Sequence, residues 1–450
     1  MAGLIASSKI AVIVGTGVSA RAVARFFEQQ GIVYLFMDTR ACPPGLSDLR
    51  QQFPDAAVEV GGLDEDCLVH ASQIVVSPGL SVKTPEIQAA IAAGVPVVGD
   101  VSLFLTENRA PVIAITGSNA KSTVATLVGE MAKQAQLNVA VAGNIGTPVL
   151  DLLASEQPYD LVVLELSSFQ LETIEKVGAK VATVLNVSED HMDRYAGLPQ
   201  YHMAKQRVYF GAENVVVNRA DPLTRPPLAD GVTSYSFGLS QPDRSAFGLL
   251  MKGAGEQLAY EFKALMPTEE IKMTGRHNIE NALSALALGH AAGLPMAAML
   301  QTLREFNGLE HRCQWLTNKG GVDYFNDSKG TNVGATLAAL NGLEKDQGKT
   351  VLIAGGVGKG ADFSPLTAAL NKTRALVLIG EDASKIAALA GQQQVVEFAD
   401  NMNDAVAKAQ AYALPGDSVL LSPACASFDM FSGFEARGDA FMQAVEALTP

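Results

Sequence analysis

The ten residues from Ala114 to Thr123, which read A-I-T-G-S-N-A-K-S-T, constrain this chain more than any other stretch. An apolar, β-branched run precedes the loop and a helical pattern follows it to Gln134, so the sequence predicts a strand, a tight loop and a helix. Backbone N–H groups at a helix N-terminus favour anionic oxygens. Lys121 would reach the terminal phosphates of a nucleotide, and the hydroxyl of Ser122 or Thr123 would hold Mg²⁺.

This stretch departs from the general phosphate-loop pattern G-x-x-x-x-G-K-[ST]. Ile115 and Ala120 stand where that pattern has glycines. An ordinary strand–turn–helix with a surface lysine therefore stays open as an alternative. Alanine at position 120 is strained if the loop needs a positive φ there, and costs little if φ is negative.

Length and charge set broad limits on what the chain does. Its 450 residues predict about three domains. A net charge of −14 argues against binding to a nucleic-acid backbone, although a local loop with one lysine still accommodates phosphates. The four cysteines include no C-x-x-C pair, which predicts reduced thiols. We find neither a signal-peptide pattern nor a long apolar run, so we expect a cytoplasmic protein without membrane insertion, and a monomer.

The first predicted domain, residues 1–99, carries a turn of the dinucleotide-binding type. A buried strand at 10–14 leads into Gly15-Thr16-Gly17 and a helix, and a second strand ends at Asp38. This spacing fits the dinucleotide fingerprint, yet the same turn accepts any diphosphate and Asp38 any ribose-like diol. Ser77-Pro78-Gly79 makes a further turn at the carboxyl end of a strand, where open α/β sheets bind ligands.

The second and third predicted domains, residues 100–308 and 309–450, alternate strands with helices, which predicts mainly parallel sheets. Glu165 ends a buried strand, and His191 follows the next one. Each has an ordinary interpretation: Glu165 in a structural ion pair, and His191 as a hydrogen-bonded loop histidine. Lys205 would equally suit a solvated helix face, and the polar pair Asn278 and Asn281 would equally cap a helix.

Eight motifs occur in one order along the chain. They are T-G-S-N-x-K-S-T, L-E-L-S-S-F-Q, N-V-S-E-D-H-M-D-R-Y, H-N-x-x-N-A-L, H-R, N-D-S-K-x-T-N, G-G-x-x-K-x-A-D-F and S-P-A-C-A-S. Together with M-D-T-R at 37–40 and S-P-G at 77–79, they resemble the Mur ligases of peptidoglycan synthesis, and within that family the ligases that use D-glutamate. The resemblance covers essentially the whole chain.

The resemblance implies an α/β fold of three domains. A Rossmann-like N-terminal domain would hold a UDP-sugar, a P-loop ATPase-like central domain would bind ATP, and a Rossmann-like C-terminal domain would bring the amino acid and close over the site. It also implies a reaction, in which the carboxylate of UDP-N-acetylmuramoyl-L-alanine (UDP-MurNAc-L-Ala) is phosphorylated by ATP and the amine of D-glutamate displaces phosphate. Closure would keep water from the acyl phosphate.

The resemblance also implies roles for individual residues, with Lys121, His191 and Lys205 as catalytic groups. The implied ATP contacts are Gly117, Ser118, Asn119, Ala120, Lys121, Ser122, Thr123, Asn278, Asn281, Arg312 and Asp327. Two Mg²⁺ sites would draw on Ser122, Glu165, His191 and Lys205, with Lys205 carbamylated. Among the UDP-sugar contacts, those to the uridine diphosphate would be Val18, Ser19, Asp38, Thr39, Arg40 and Gly79. Those to the sugar–alanine portion would be Asn144, Gln170 and His191. The D-glutamate pocket would contain Thr331, Lys359, Ser427 and Phe434, with Lys359 meeting a carboxylate.

Other functions remain open at the level of sequence. An NAD-dependent oxidoreductase would explain Gly15-x-Gly17 and Asp38, but would leave Lys121 and Glu165 without a role. A UDP-sugar-binding protein would have the same fold without the catalytic activity. Mur ligases that add a diamino acid or a dipeptide are near neighbours, and folylpolyglutamate synthases share the ATPase core without needing the N-terminal diphosphate turn.

Overall fold

Three sheets follow one another along the chain in the computed structural model, which describes residues 10–227, 230–253, 255–273, 275–343 and 348–448. Each sheet is mainly parallel and is flanked by helices, in agreement with the predicted α/β class. Inner strands such as Ala11–Val14, Val112–Thr116 and Ala375–Ile379 are short apolar runs buried on both faces, which is the pattern that helix-covered parallel strands require.

The N-terminal domain is built on five parallel strands in the order β3-β2-β1-β4-β5. Its elements are β1 (Ala11–Val14), α1 (Val18–Gln30), β2 (Tyr34–Asp38), α2 (Leu46–Gln52), β3 (Ala57–Val60), α3 (Glu65–His70), β4 (Ile74–Val76), α4 (Pro85–Ala92) and β5 (Val97–Val98). The strand order reverses beside β1, so β1 and β4 end together at the switch point where such sheets bind ligands.

The central domain has nine strands in the order β14-β13-β12-β11-β10-β9-β6-β8-β7. Its sheet is parallel from β7 to β12 and antiparallel in the last two pairs, a hairpin extension for which the sequence analysis names no strand. The elements are α5 (Asp100–Glu107), β6 (Val112–Thr116), α6 (Lys121–Gln134), β7 (Val139–Gly143), β8 (Leu161–Glu165), α7 (Ser168–Glu172), β9 (Val181–Val184), α8 (Leu198–Gln206), β10 (Asn214–Asn218), β11 (Thr233–Phe237), β12 (Ala246–Lys252), β13 (Gly255–Tyr260), β14 (Lys263–Pro267), α9 (Arg276–Ala292) and α10 (Met296–Glu305).

The C-terminal domain has six strands in the order β15-β16-β20-β17-β18-β19. The pair β15–β16 is antiparallel and the other pairs are parallel. The elements are β15 (Gln314–Lys319), β16 (Val322–Asn326), α11 (Val333–Gly342), β17 (Thr350–Gly355), α12 (Thr367–Leu370), β18 (Ala375–Ile379), α13 (Ala383–Ala387), β19 (Val395–Phe398), α14 (Met402–Tyr412), β20 (Ser418–Leu421) and α15 (Phe434–Glu446).

A shared apolar core joins the N-terminal and central domains, whereas the C-terminal domain has cores of its own. One buried cluster runs from the N-terminal domain into the central one and includes Phe27, Phe104, Leu150 and Leu171. The C-terminal domain buries its apolar residues in two clusters of its own, as far as the described residues form them. Among the described residues, no buried apolar cluster joins it to the central domain.

Candidate active site

The phosphate loop lies at the carboxyl end of β6 and leads directly into α6. The carbonyl oxygen of Gly117 accepts hydrogen bonds from Lys121 Nζ and from Lys205 Nζ, each at 2.8 Å. Lys121 Nζ also donates to the carbonyl of Ser118 at 2.9 Å. Asn186 supports the loop from the next strand, since its Oδ1 accepts the Asn119 N–H at 2.8 Å. Two amines thus converge where a nucleotide phosphate would lie.

Ala120 is the residue immediately before α6, and its φ is 67°. The sequence left open whether this position needs a positive φ, and the structure places it in the left-handed region. A Cβ in that region costs roughly 1–2 kcal/mol, so this alanine holds strain that a glycine would avoid.

Glu165 ends β8 beside β6 and is 1% exposed. Its Oε1 accepts a hydrogen bond from Asn144 Nδ2 at 2.9 Å, whereas its buried Oε2 has no hydrogen-bond partner among the described residues. An unpaired buried carboxylate oxygen is costly, and a hard divalent cation with oxygen ligands would satisfy it. Glu165 and the hydroxyl of Ser122 are oxygen donors of the kind that Mg²⁺ prefers.

Lys205 lies on α8 but is buried, with 1% of its surface exposed, so it is not a residue of a solvated face. Its Nζ lies 4.4 Å from the centroid of the Tyr201 ring. Burial lowers the pKa of Lys205 far below its ordinary value, and the neighbouring Lys121 lowers it further. Burial therefore favours the neutral, nucleophilic form of this amine.

His191 lies in the loop after β9 with a φ of 60°, and its ring centroid lies 4.7 Å from that of Phe169. Burial lowers the pKa of His191, although the carboxylate of Asp190 acts in the opposite direction. A neutral imidazole is the form that binds a metal ion.

Hydrogen bonds join the C-terminal domain to the central domain at this site. Arg312 Nη2 donates to Ser122 Oγ at 2.5 Å, and Lys359 Nζ donates to Asp190 Oδ1 at 2.7 Å. Asn332 Nδ2 donates both to Asn119 Oδ1 at 3.0 Å and to Asp190 Oδ2 at 3.1 Å.

A cavity of about 280 Å³ lies between these contacts. Burial acts to raise the pKa of the Asp190 carboxyl, but Lys359 and His191 hold it below its usual value. The residues that line the cavity are Ser118, Asn119, Ala120, Lys121, Ser122, Asn144, Glu165, Ser167, Ser168, Phe169, Asp190, His191, Tyr201, Lys205, Arg312, Lys329, Thr331, Asn332 and Lys359.

A second cavity adjoins the first on the α9 side of the loop. It brings together predicted nucleotide contacts from two domains, namely Asn119, Ala120, Thr123, Asn278, Asn281, Arg312 and Asp327. Asn281 Nδ2 donates to Asn278 Oδ1 at 3.0 Å, so the two asparagines form one polar unit on the helix. Burial raises the pKa of Asp327 to about 7.

A third cavity, of about 460 Å³, lies within the N-terminal domain at the switch point of its sheet. All six predicted uridine-diphosphate contacts line it, namely Val18, Ser19, Asp38, Thr39, Arg40 and Gly79. Asp38 accepts bonds from Arg40 Nε at 2.9 Å, Arg40 Nη2 at 2.7 Å and Thr16 Oγ1 at 2.9 Å. Because both oxygens are engaged, Asp38 orients Arg40 instead of offering a free acceptor, and the bond to Arg40 lowers the pKa of Asp38.

Three predicted contacts lie apart from the reaction cavity. Gln170 belongs to a capping box at the start of α7, where its Oε1 accepts the Ser167 N–H at 3.0 Å. Ser427 and Phe434 are absent from the cavity lining formed by the described residues. Lys329 connects Phe434 to the cavity, since Lys329 Nζ lies 3.7 Å from the centroid of that ring.

The sequence analysis missed Asp190, Asn332 and Lys329 as site residues. All three stand inside quoted motifs, beside residues that were singled out. The signal was therefore present, but the partners of Asp190 and Asn332 lie in another domain and the spacing does not reveal them.

A phosphate loop, two converging lysines and a buried carboxylate at one edge of a parallel sheet define an α/β enzyme of phosphoryl-group chemistry. Three family models match the chain in succession: Mur ligase MurD-like, N-terminal domain, over residues 9–99; Mur ligase middle domain, over 115–289; and Mur ligase, glutamate ligase domain, over 311–425.

Curated relatives match over the full length. The UDP-N-acetylmuramoylalanine–D-glutamate ligase of Pseudomonas savastanoi pv. phaseolicola is 54% identical over 448 residues, covering 99% of this chain and 100% of the relative. The ligase of the same name from Hahella chejuensis is 50% identical with the same coverage. The chain belongs to the Mur ligase family and is an ATP-dependent ligase of peptidoglycan synthesis.

Solved structures agree on the fold. The UDP-N-acetylmuramate-alanine ligase of Thermotoga maritima matches with a TM-score of 0.60 at 18% identity, covering 98% of this chain and 99% of that one. The MurF ligase of Thermotoga maritima in complex with ADP matches with a TM-score of 0.63 at 15% identity, covering 92% and 95%. Family membership favours the ligase over the NAD-dependent oxidoreductase. Among the described residues, no helix is long and apolar enough to cross a membrane.

Proposed function

We propose that the chain joins D-glutamate to UDP-MurNAc-L-Ala and converts ATP to ADP and phosphate in the same reaction. The full-length relatives carry that substrate pair in their name. The observation in the structure that carries the proposal is one cavity lined by Lys121, Glu165 and Lys359, which would bring phosphate, cation and amino acid together.

The chemistry needs activation because a carboxylate does not react with an amine. One oxygen of the alanyl carboxylate attacks the γ-phosphorus of ATP, ADP leaves, and an acyl phosphate forms. The amine of D-glutamate then attacks the carbonyl carbon, loses a proton, and phosphate leaves with the bonding electrons. Lys121 stabilises charge on the transferred phosphoryl group, as preorganised cations do in such reactions.

Two Mg²⁺ ions would be held by Ser122, Glu165, His191 and Lys205. They would neutralise charge on the phosphate oxygens. The unpartnered Oε2 of Glu165 fits this role. In its neutral form the amine of Lys205 would add CO₂ and release a proton. The product would be a carbamate, which places anionic oxygens where the lysine cation stood. Carbon-13 NMR with labelled bicarbonate tests this step through a carbamate signal that Lys205→Arg abolishes.

The remaining assignments follow the cavities. The N-terminal cavity would hold the uridine diphosphate, while Asn144, Gln170 and His191 would contact the sugar–alanine portion. Thr331, Lys359, Ser427 and Phe434 would bind D-glutamate. We propose a cytoplasmic monomer with domain limits at 99/100 and 308/309.

A phosphate-release assay tests the proposal across UDP-MurNAc, UDP-MurNAc-L-Ala and several amino acids. We expect release only when UDP-MurNAc-L-Ala and D-glutamate are both present with ATP and Mg²⁺. Release with another acceptor but none with D-glutamate would overturn the substrate assignment. Failure of phosphate release in every mixture would support the non-catalytic UDP-sugar-binding protein instead.

A further inference from the structure

Arg194 joins the N-terminal cavity to the reaction cavity. It stands three residues after His191, and its side chain is 12% exposed. Arg194 Nη1 donates to the carbonyl of Pro78 at 2.8 Å, and Nη2 donates to the carbonyl of Leu80 at 3.0 Å. These two carbonyls flank Gly79, in the loop that lines the proposed diphosphate cavity.

The other side of Arg194 packs on the reaction cavity. Its guanidinium carbon lies 4.0 Å from the centroid of the Phe169 ring, and that ring contacts His191 at 4.7 Å between centroids. Glu172 accepts from Arg194 Nη2 at 3.1 Å and fixes the plane of the guanidinium. One side chain thus touches the loop of one cavity and a wall of the other.

The neighbouring residue extends this packing toward Lys205. Tyr195 stacks on Phe169 with centroids 6.0 Å apart and contacts Tyr201 at 5.3 Å. Tyr201 lies beneath Lys205 Nζ at 4.4 Å. A displacement of Arg194 would therefore reach His191 and Lys205, two of the groups proposed to hold Mg²⁺.

We propose that Arg194 is a positioning residue that sets the distance between the 77–80 loop and the reaction cavity. It would thereby place the alanyl carboxylate of UDP-MurNAc-L-Ala in line with the phosphate loop, an inference that rests on the proposed function. Only a planar guanidinium holds two carbonyls and a carboxylate in one fixed geometry, because lysine carries its donors at a single point. Misplacing a reacting group by about 1 Å can cost about 100-fold in rate.

Arg25 supplies a matched control. It also joins the N-terminal and central domains, through bonds to Asp151 at 2.7, 2.9 and 3.0 Å. Its side chain is 36% exposed, and neither partner belongs to the lining of the two cavities as the described residues form it. Loss of Arg25 removes an interdomain arginine without touching either ligand loop.

The experiment compares wild type with Arg194→Gln, Arg194→Lys and Arg25→Gln. Calorimetry measures the Kd of UDP, steady-state phosphate release measures kcat and the KM of ATP, and thermal unfolding checks the fold. For Arg194→Gln we expect kcat to fall about 10- to 100-fold, while the Kd of UDP and the KM of ATP change less than about 3-fold. Arg194→Lys should lose less, and Arg25→Gln should stay within about 2-fold of wild type.

A role in folding alone would lower the melting temperature without separating kcat from UDP affinity. The proposal is wrong if folded Arg194→Gln keeps kcat within about 2-fold of wild type, or if Arg25→Gln loses as much. If Arg194→Gln does not fold, Arg194→Lys decides by the same criterion. An inactive wild type would overturn the proposed function and this inference together, whereas an active wild type with active Arg194 variants overturns this inference alone.

Discussion

The N-terminal cavity and the reaction cavity are built on different plans. The N-terminal cavity is lined by residues of one domain, at the edge of one sheet. The reaction cavity is lined by side chains from the central and C-terminal domains and takes its shape from their contact. The first is thus a property of one local fold, and the second a property of an assembly.

The contacts around the two cavities differ in the same way. An apolar cluster that includes Phe27 and Leu171 fastens the N-terminal domain to the central one, and burial of that kind resists separation. The C-terminal domain is held at the site by polar pairs such as Lys359–Asp190 and Arg312–Ser122. In either pair, a substrate carboxylate or a metal ion could take the place of one of the two partners. We therefore expect the C-terminal domain to be the one that opens and closes.

The two cavities also differ in backbone strain. Ala120, His191 and Lys359 have φ values of 67°, 60° and 52°. In the N-terminal cavity the positive φ falls on Gly15, where a Cβ would also lie 2.4 Å from Ser77 Oγ. Strained non-glycine residues concentrate at functional sites. Here they mark the cavity whose parts must rearrange.

The largest effect expected from this comparison is confined to the reaction cavity. Lys121→Ala should lower kcat/KM by about 1,000-fold or more, because it removes the cation nearest the transferred phosphoryl group. Calorimetry should give an unchanged Kd for UDP, since that cavity is separate. Lys133→Ala, at the exposed far end of α6, is the control. Intact turnover in Lys121→Ala would refute the phosphate-loop interpretation.

A pH effect should appear where the C-terminal domain covers α9. His277 is partly buried there with its Nδ1 inside, and a Cβ on Gly342 of α11 would lie 2.3 Å from that Nδ1. Burial lowers the pKa of His277 from 6.5 to about 4. Between these values the unfolded chain binds the proton and the folded chain does not, so stability is lost as the pH falls from 6.5 toward 4, by about 3 kcal/mol in all.

His277→Gln should remove most of that pH-dependent loss. Urea unfolding at pH 7 and pH 4.5 measures it for wild type and variant. His70→Gln, in the N-terminal domain, is the control and should leave the wild-type difference in place. Equal pH sensitivity in wild type and His277→Gln would show that other groups cause the loss.

Lys359→Ala tests the exchangeable contact directly. Loss of a buried charge-assisted bond to a substrate carboxylate should raise the KM of D-glutamate about 30-fold, with the KM of ATP nearly unchanged. Lys385→Ala, an exposed lysine of the same domain, serves as control. Should the KM of ATP rise while that of D-glutamate stays constant, Lys359 belongs with the nucleotide instead.

The sequence predicted local features well, but it predicted the contact between domains only in part. The three-domain α/β fold was predicted, and the six predicted uridine-diphosphate contacts line one cavity. Gly15 and Asp38 could be predicted because a turn and a strand end fix their positions within one βαβ unit. Asp190 and Asn332 meet only when two domains dock, and no spacing encodes that contact. The hairpins of β12–β14 were missed because the sequence analysis followed only strands that lead into polar motifs.

A smaller effect is expected in the N-terminal cavity. Asp38→Asn removes the charge that holds Arg40, and we expect UDP to bind about 10-fold more weakly, as for loss of one charge-assisted contact. The value of kcat at saturating substrate should change much less, in contrast to Lys121→Ala. Calorimetry with UDP measures the first quantity and phosphate release the second. An equal loss in both would show that the two cavities are not independent.

The smallest effect is expected at Ala120 in the reaction cavity, where a substitution should keep or improve ATP binding. Glycine relieves the left-handed strain of about 1 kcal/mol, but it also gains freedom in the unfolded chain, which offsets about half of that or more. Stability should therefore change little, whereas the loop would adopt its phosphate-binding form at lower cost. We expect the KM of ATP in Ala120→Gly to stay equal or to fall by up to about 3-fold.

Ala125→Gly, buried on the same helix α6, is the control, and it should destabilise the protein without improving ATP affinity. Weaker ATP binding in Ala120→Gly would mean that the methyl group of Ala120 helps to shape the site, and the phosphate-loop interpretation would lose its support at this position.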